Sequence, residues 1–102
     1  MENLKTLEEL KKIVENERKQ GKKIVLTNGC YDIIHVGHIE ILKKMKSFGD
    51  ILIVAINSDS SIKKFKGDNR PINSERDRAA VVGAIKDVDF VTIFNSDNPL
   101  HV

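Results

Sequence analysis

Six consecutive apolar residues, Ile51-Leu52-Ile53-Val54-Ala55-Ile56, leave little choice about how this chain folds. A strand with one face in water alternates apolar with polar residues. A run without alternation needs cover on both faces, which is the condition of a strand inside a parallel sheet. Gly49-Asp50 closes whatever precedes the run, and Asn57-Ser58-Asp59 follows it. That polar triplet should open onto the carboxyl edge of the sheet, where open α/β folds bind ligands. Asp59 reads either as a turn former or as a group placed at that edge.

A strand, a turn and a helix are expected just upstream, across Lys23 to Phe48. Ile24, Val25 and Leu26 form a short β-branched and apolar run, Asn28-Gly29 breaks it, and Ile39, Leu42, Met45 and Phe48 resume at helical spacing from about Gly37. Between them, Asp32-Ile33-Ile34-His35-Val36-Gly37-His38 sets two imidazoles either side of a glycine at the helix start. Free N–H groups and the helix dipole attract anions there, the dipole contributing ~0.3–1 kcal/mol. Phosphate needs short hydrogen bonds from a rigid frame. Imidazole supplies compact donors, and Gly37 puts no Cβ in the way of a ligand. The spacing alone fits equally well with His35 and His38 acting only as polar caps.

The remaining segments are plainer. Thr6-Leu7-Glu8-Glu9 fits a capping box, and Leu7, Leu10, Ile13 and Val14 line one face of a surface helix from Leu7 to Lys19, with Gly21 as terminator. Residues 58 to 73 read as a long polar connection in which Lys63, Lys64, Lys66, Gly67 and Arg70 gather before Pro71. Beside an anion-binding helix start, such a loop suggests a flap over phosphates. Ser74 caps a further helix with Asp77 at its third position and Ala79, Val82 and Ile85 as its buried stripe. Arg78 sits in the first turn, where a cation opposes the dipole unless something uses it. Val88 to Phe94 is expected as the third strand and Asn95 to Pro99 as a polar turn; His101 reads as incidental.

The stretch Asn28-Gly29-Cys30-Tyr31-Asp32-Ile33-Ile34-His35-Val36-Gly37-His38 resembles the signature of the cytidylyltransferase-like nucleotidyltransferases, whose H-x-G-H follows a Gly-x-Phe-Asp turn. Tyr31 stands where phenylalanine is commoner. Asn57-Ser58-Asp59, Lys66-Gly67, Arg70-Pro71, Arg78, Val88-Asp89 and Asp97-Asn98-Pro99-Leu100 extend the likeness in order, over roughly residues 6 to 100. Within that superfamily the combination is most similar to the adenylyltransferase domain of ADP-heptose synthases. The resemblance implies catalytic parts for His35, His38 and Lys66, the last aligned with a phosphate-contacting lysine that a small shift would move to Lys64 or Lys63. It implies nucleotide contacts from Gly29, Cys30, Tyr31, Asp32, His35, Gly37, His38 and Arg78, and acceptor contacts from Asn28, Asn57 and Asp59. Asp32 is expected to order the turn rather than act as a base.

Size and composition narrow the classes. At 102 residues and 11.5 kDa, residues 1–102 are expected as a single domain, burying roughly 60–65% of the unfolded surface. The chain is 40% hydrophobic and 31% charged, and no apolar run approaches a bilayer's thickness, so no membrane role is expected. Its first residues carry acids and no apolar core of a leader, and Cys30 is the only cysteine, which together suggest a cytoplasmic protein. Seventeen basic against 15 acidic residues is too balanced for a nucleic-acid surface. No Walker or G-x-G-x-x-G motif occurs. Asp32, Asp59 and Asp97 are too dispersed for a protein-only metal site, one cysteine makes zinc implausible, and no base is paired with Cys30 as a nucleophile.

These elements predict an α/β, Rossmann-like three-layer fold with a parallel sheet. The resemblance makes the first strand central, with later strands that this sequence, stopping at Val102, does not contain. The fold is thus expected as truncated after the third strand, its first strand offering unpaired backbone groups to another chain, which favours a homo-oligomer. The implied chemistry is transfer of AMP from ATP to a sugar 1-phosphate, heptose 1-phosphate, with release of pyrophosphate, in synthesis of ADP-heptose for the lipopolysaccharide core. Mg²⁺ would come with the nucleotide. A cytidylyltransferase using CTP and glycerol 3-phosphate or a similar alcohol phosphate is the alternative, and a non-catalytic nucleotide-binding or assembly module is a reading of another class.

Overall fold

The elements follow in the order α1 (Leu7–Lys19), β1 (Ile24–Gly29), α2 (Val36–Lys46), β2 (Ile51–Asn57), α3 (Asp59–Lys66), α4 (Glu75–Gly83) and β3 (Phe90–Phe94). The structure is a computed structural model and describes residues 2–95. The Asp97-Asn98-Pro99-Leu100 match, most of the expected Asn95 to Pro99 turn, and His101 lie outside the described residues.

Three parallel strands form one sheet in the order β1-β2-β3. Ile53 of β2 pairs with Leu26 on one side and Phe90 on the other. The apolar run explains itself once its alternate residues are followed, because successive side chains of a strand leave opposite faces. Ile51 and Ile53 pack with Leu10 and Val14 of α1. Leu52, Val54 and Ile56 pack with Leu42 of α2 and with Ala79 and Val82 of α4. Helices therefore cover both faces of the sheet, as in Rossmann-like α/β folds.

The two outer strands are treated differently. Asn3 to Lys5 run alongside β3, with the Val91 N–H donating to Asn3 O at 2.9 Å and the Lys5 N–H donating to Val91 O at 2.9 Å. Leu4 thereby makes a parallel bridge to Val91. On β1, among the described residues, no strand pairs with the far edge.

Local chemistry shifts several expected boundaries. Thr6 and Glu9 form the anticipated capping box of α1. The connection after β2 is not a continuous loop, because α3 occupies Asp59–Lys66. The Ser58 side chain accepts from the Ser61 N–H, Ile62 is 1% exposed, and three lysines in the last turn suit the carbonyl end of the dipole. β3 starts at Phe90, since the Val88 N–H is taken by Ile85 O. On α2 only Leu42 of the expected stripe is fully buried; Ile39 and Phe48 are exposed. Among the described residues no helix is long and apolar enough to cross a membrane.

Candidate active site

The polypeptide leaves β1 at Gly29 and enters α2 at Val36 through a turn whose pivot is Tyr31, at φ 51°. A non-glycine residue in that region costs about 1–3 kcal/mol and persists only where its surroundings hold it. Here the ring is held over Gly29, where a Cβ would stand 2.7 Å from Tyr31 Cε2. Burial raises the Tyr31 phenol above its usual range, against the opposing effect of a hydrogen bond with Thr27.

The two histidines build a reciprocal cap. His35 Nδ1 accepts from the Gly37 N–H at 3.0 Å, and His38 Nδ1 accepts from the His35 N–H at 3.2 Å. A nitrogen that accepts carries no proton, so in the neutral rings the proton sits on Nε2 of each, assigned here from the hydrogen bonds. The ring centroids are 4.3 Å apart and the planes inclined at 58°. Capping and ligand contact are thus compatible parts of one device: Nδ1 closes the helix and Nε2–H remains as a donor. Gly37 has a reason beyond the one expected. A Cβ there would stand 2.7 Å from His35 Cε1, so the glycine makes room for the imidazole of the cap. The Gly37 N–H is likewise consumed by the cap, which leaves donation to an anion mainly to the rings.

A hollow of about 440 Å³ lies beside this cap, lined by Cys30, Tyr31, Asp32, Ile33, His38, Lys66 and Arg70. It joins residues from the β1–α2 turn, the α2 start, the end of α3 and the segment after it. His35 does not line it but lies against His38, which does, in a tilted ring contact. Cys30, Tyr31 and His38 also border a smaller hollow of about 250 Å³ with Thr27, Asn28, Gly29 and Ile41. Lys66 and Arg70 are exposed, so their charges are available to a ligand.

Asp32 anchors the segment that carries Arg70. Its carboxylate accepts from the Ile72 N–H at 2.9 Å and the Asn73 N–H at 2.8 Å, while Arg70 Nη1 lies 3.8 Å away. Asn73 Nδ2 adds a bond to the Asp32 carbonyl. Burial opposes ionisation of Asp32, but the N–H groups of Asn73 and Ile72, with the charges of Arg70 and Arg78, outweigh it and hold the carboxyl below its usual range.

Arg78, expected to contact the nucleotide, has its guanidinium occupied by protein groups. The residue is 1% exposed. Its Nε donates to Asn73 O at 3.0 Å, its Nη1 to Cys30 O at 2.8 Å and Asn57 O at 2.7 Å, and its Nη2 to Asp59 Oδ1 at 2.7 Å. Asp59 is correspondingly engaged by Arg78, and Asn57 is held through its carbonyl. The arginine that reaches the hollow is Arg70. Asn73, which bonds both Asp32 and Arg78, closes the Arg70-Pro71-Ile72-Asn73 run that is part of the family likeness, but the sequence assigned it no contact.

The model of the cytidylyltransferase-like family matches residues 26–101. This chain belongs to the cytidylyltransferase-like family. Relatives of this cytidylyltransferase-like chain include the bifunctional protein HldE of Aliarcobacter butzleri, 48% identical over 98% of this chain and 21% of the relative. HldE of Nitratiruptor sp. is 50% identical over 99% of this chain and 22% of its own length. The chain therefore spans about a fifth of the length of these curated relatives. Among solved structures, the lipopolysaccharide core biosynthesis protein of Thermoplasma volcanium superimposes with a TM-score of 0.68 at 32% identity, over 76% of this chain and 62% of that one.

Among the described residues no group of three or more His, Cys, Asp or Glu side chains could hold a metal ion. Asp32 is the one carboxylate lining the larger hollow, and both its oxygens already accept hydrogen bonds. These residues do not form a Mg²⁺ cage.

Proposed function

We propose that this chain carries a nucleotidyltransferase site that transfers AMP from ATP to heptose 1-phosphate, a sugar 1-phosphate, and releases pyrophosphate. A single observation carries the reading: His38, with its Nδ1 committed to the helix cap, borders the same hollow as the exposed cations Lys66 and Arg70. One phosphate oxygen of the acceptor attacks the α-phosphorus. A new P–O bond forms, the bond to the bridging α–β oxygen breaks, and its electron pair leaves with pyrophosphate. The attacking phosphate is already ionised near neutral pH, so a strong general base is not required. What remains for the protein is positioning and charge neutralisation.

His38 Nε2–H, backed by His35, is suited to donate to oxygens of the crowded α-phosphorus. Lys66 and Arg70 are suited to the β- and γ-phosphates. The turn at Gly29, Cys30 and Tyr31 would border the nucleoside, and Asn28 the acceptor. Mg²⁺ would enter on the triphosphate, supplying charge neutralisation there. A reaction that consumes nucleoside triphosphate fits a cytoplasmic location.

The test is a pyrophosphate-release screen of ATP and CTP against heptose 1-phosphate and glycerol 3-phosphate, on this chain and on a C-terminally extended version. Release with ATP and heptose 1-phosphate is the expected result. Release only with CTP and glycerol 3-phosphate would replace it by the cytidylyltransferase reading. Nucleotide binding with no release from any pair would leave a binding module, and no nucleotide binding at all would overturn the proposal.

A further inference from the structure

The buried guanidinium of Arg78 is not used by the chemistry above, yet it holds together four segments. They are the turn after β1 through Cys30 O, the end of β2 through Asn57 O, the start of α3 through Asp59, and the approach to α4 through Asn73 O. The Cys30 turn forms one wall of the larger hollow, and α3 ends at Lys66 on another. With eight residues, α3 is a rigid rod about 10 Å from first to last Cα. Fixing its first residue against the turn therefore sets where its last residue stands. Asn73 belongs to the segment that Asp32 and Arg70 share, so the same cation also steadies the third wall.

Resting on the nucleotide-binding reading, we propose that Arg78 is a positioning residue, paired with Asp59, that holds Lys66 at a fixed distance from the Cys30–Asp32 turn and so sets the spacing between lysine and imidazole that a triphosphate must span. Two features favour this over a part in stability alone. Arg78 contacts main-chain carbonyls of segments that carry the hollow's lining, and its counter-ion is the first residue of the helix that carries the lysine. The guanidinium itself is enclosed, so its hydrogen bonds go to these neighbours.

The test is a double-mutant cycle read by ATP and CTP affinity, with Lys66→Ala made in three backgrounds: the unaltered protein, Asp59→Asn and Arg78→Lys. Each is measured well below its own unfolding temperature. Loss of a charge-assisted contact should make Lys66→Ala weaken binding about tenfold in the unaltered protein. In either clip background the same change is expected to cost about threefold or less, since the lysine is already misplaced. Asp59→Asn on its own should weaken binding.

A direct contact by Arg78 would instead make Asp59→Asn neutral or favourable, because it removes a negative charge near an anion. Full additivity of Lys66→Ala with both clip variants, or unchanged affinity in Asp59→Asn, overturns the inference while leaving the nucleotide reading in place. If Arg78→Lys fails to fold, Asp59→Asn, nearly isosteric with the native residue, decides alone. Failure of the unaltered protein to bind either nucleotide overturns the function proposed above and this inference with it.

Discussion

An imidazole that accepts a main-chain hydrogen bond through Nδ1 has one nitrogen left with which to meet a ligand, and here that holds for His35 and His38 together. Replacing His38 by alanine removes a preorganised donor and should lower turnover by ~10²–10³ in an active form. Near-normal turnover of both His35→Ala and His38→Ala would contradict the assignment. Gly37→Ala probes the pair without replacing either ring. The added methyl displaces His35 from the Gly37 N–H, so loss of the cap, about 0.5–2 kcal/mol, should appear in urea unfolding together with weaker nucleotide binding. At Asp32 the sign of a pH effect is fixed by its depressed folded-state value. Its contribution is complete above the ordinary aspartate range, near pH ~4, and is lost as pH falls through the lower folded-state value. Urea unfolding measured at successive pH values should show this loss in the native protein and a flatter acid limb in Asp32→Asn.

Elements differ in how openly the sequence declares them. β2 needed only its unbroken apolar run, and α1 only its capping box and stripe. α3 was hidden because it buries just Ser61 and Ile62, leaving Phe65 and the lysines outside, so its polar face resembles a loop. Its start was nonetheless written in Ser58, whose side chain accepts from the Ser61 N–H. Ser58→Ala should cost about 1 kcal/mol in urea unfolding and loosen the helix that bears Lys66. The site followed the same division. Local spacing placed the histidine pair and the turn at the start of a helix but left the imidazoles readable as caps alone, and Lys66 stood out from its neighbouring lysines only through the family resemblance. The enclosure of Arg78 by Cys30, Asn57, Asp59 and Asn73 was not legible, since it joins residues as much as 48 positions apart. No local pattern separates an exposed cation from an enclosed one when both occupy the first turn of a helix.

For the molecule as a whole, the contrast between its two sheet edges is the feature with the widest effect. β3 is covered by Asn3 to Lys5, whereas β1 has no partner strand on its outer side among the described residues and leaves Leu26 39% exposed. Unpaired strand edges with apolar side chains template association. Leu26→Lys is therefore expected to reduce concentration-dependent association in sedimentation velocity, with little change in the far-UV spectrum. An unchanged sedimentation profile at all concentrations would show that this edge does not mediate self-contact.

The strand that runs through the middle has a consequence for melting. Because Ile51 and Ile53 serve one layer of helix while Leu52, Val54 and Ile56 serve the other, neither half can come apart without stripping a wall from its neighbour. A calorimetric scan should accordingly trace one peak, and fluorescence from Tyr31 should lose its native signal in step with the far-UV circular dichroism of the helices on both faces together.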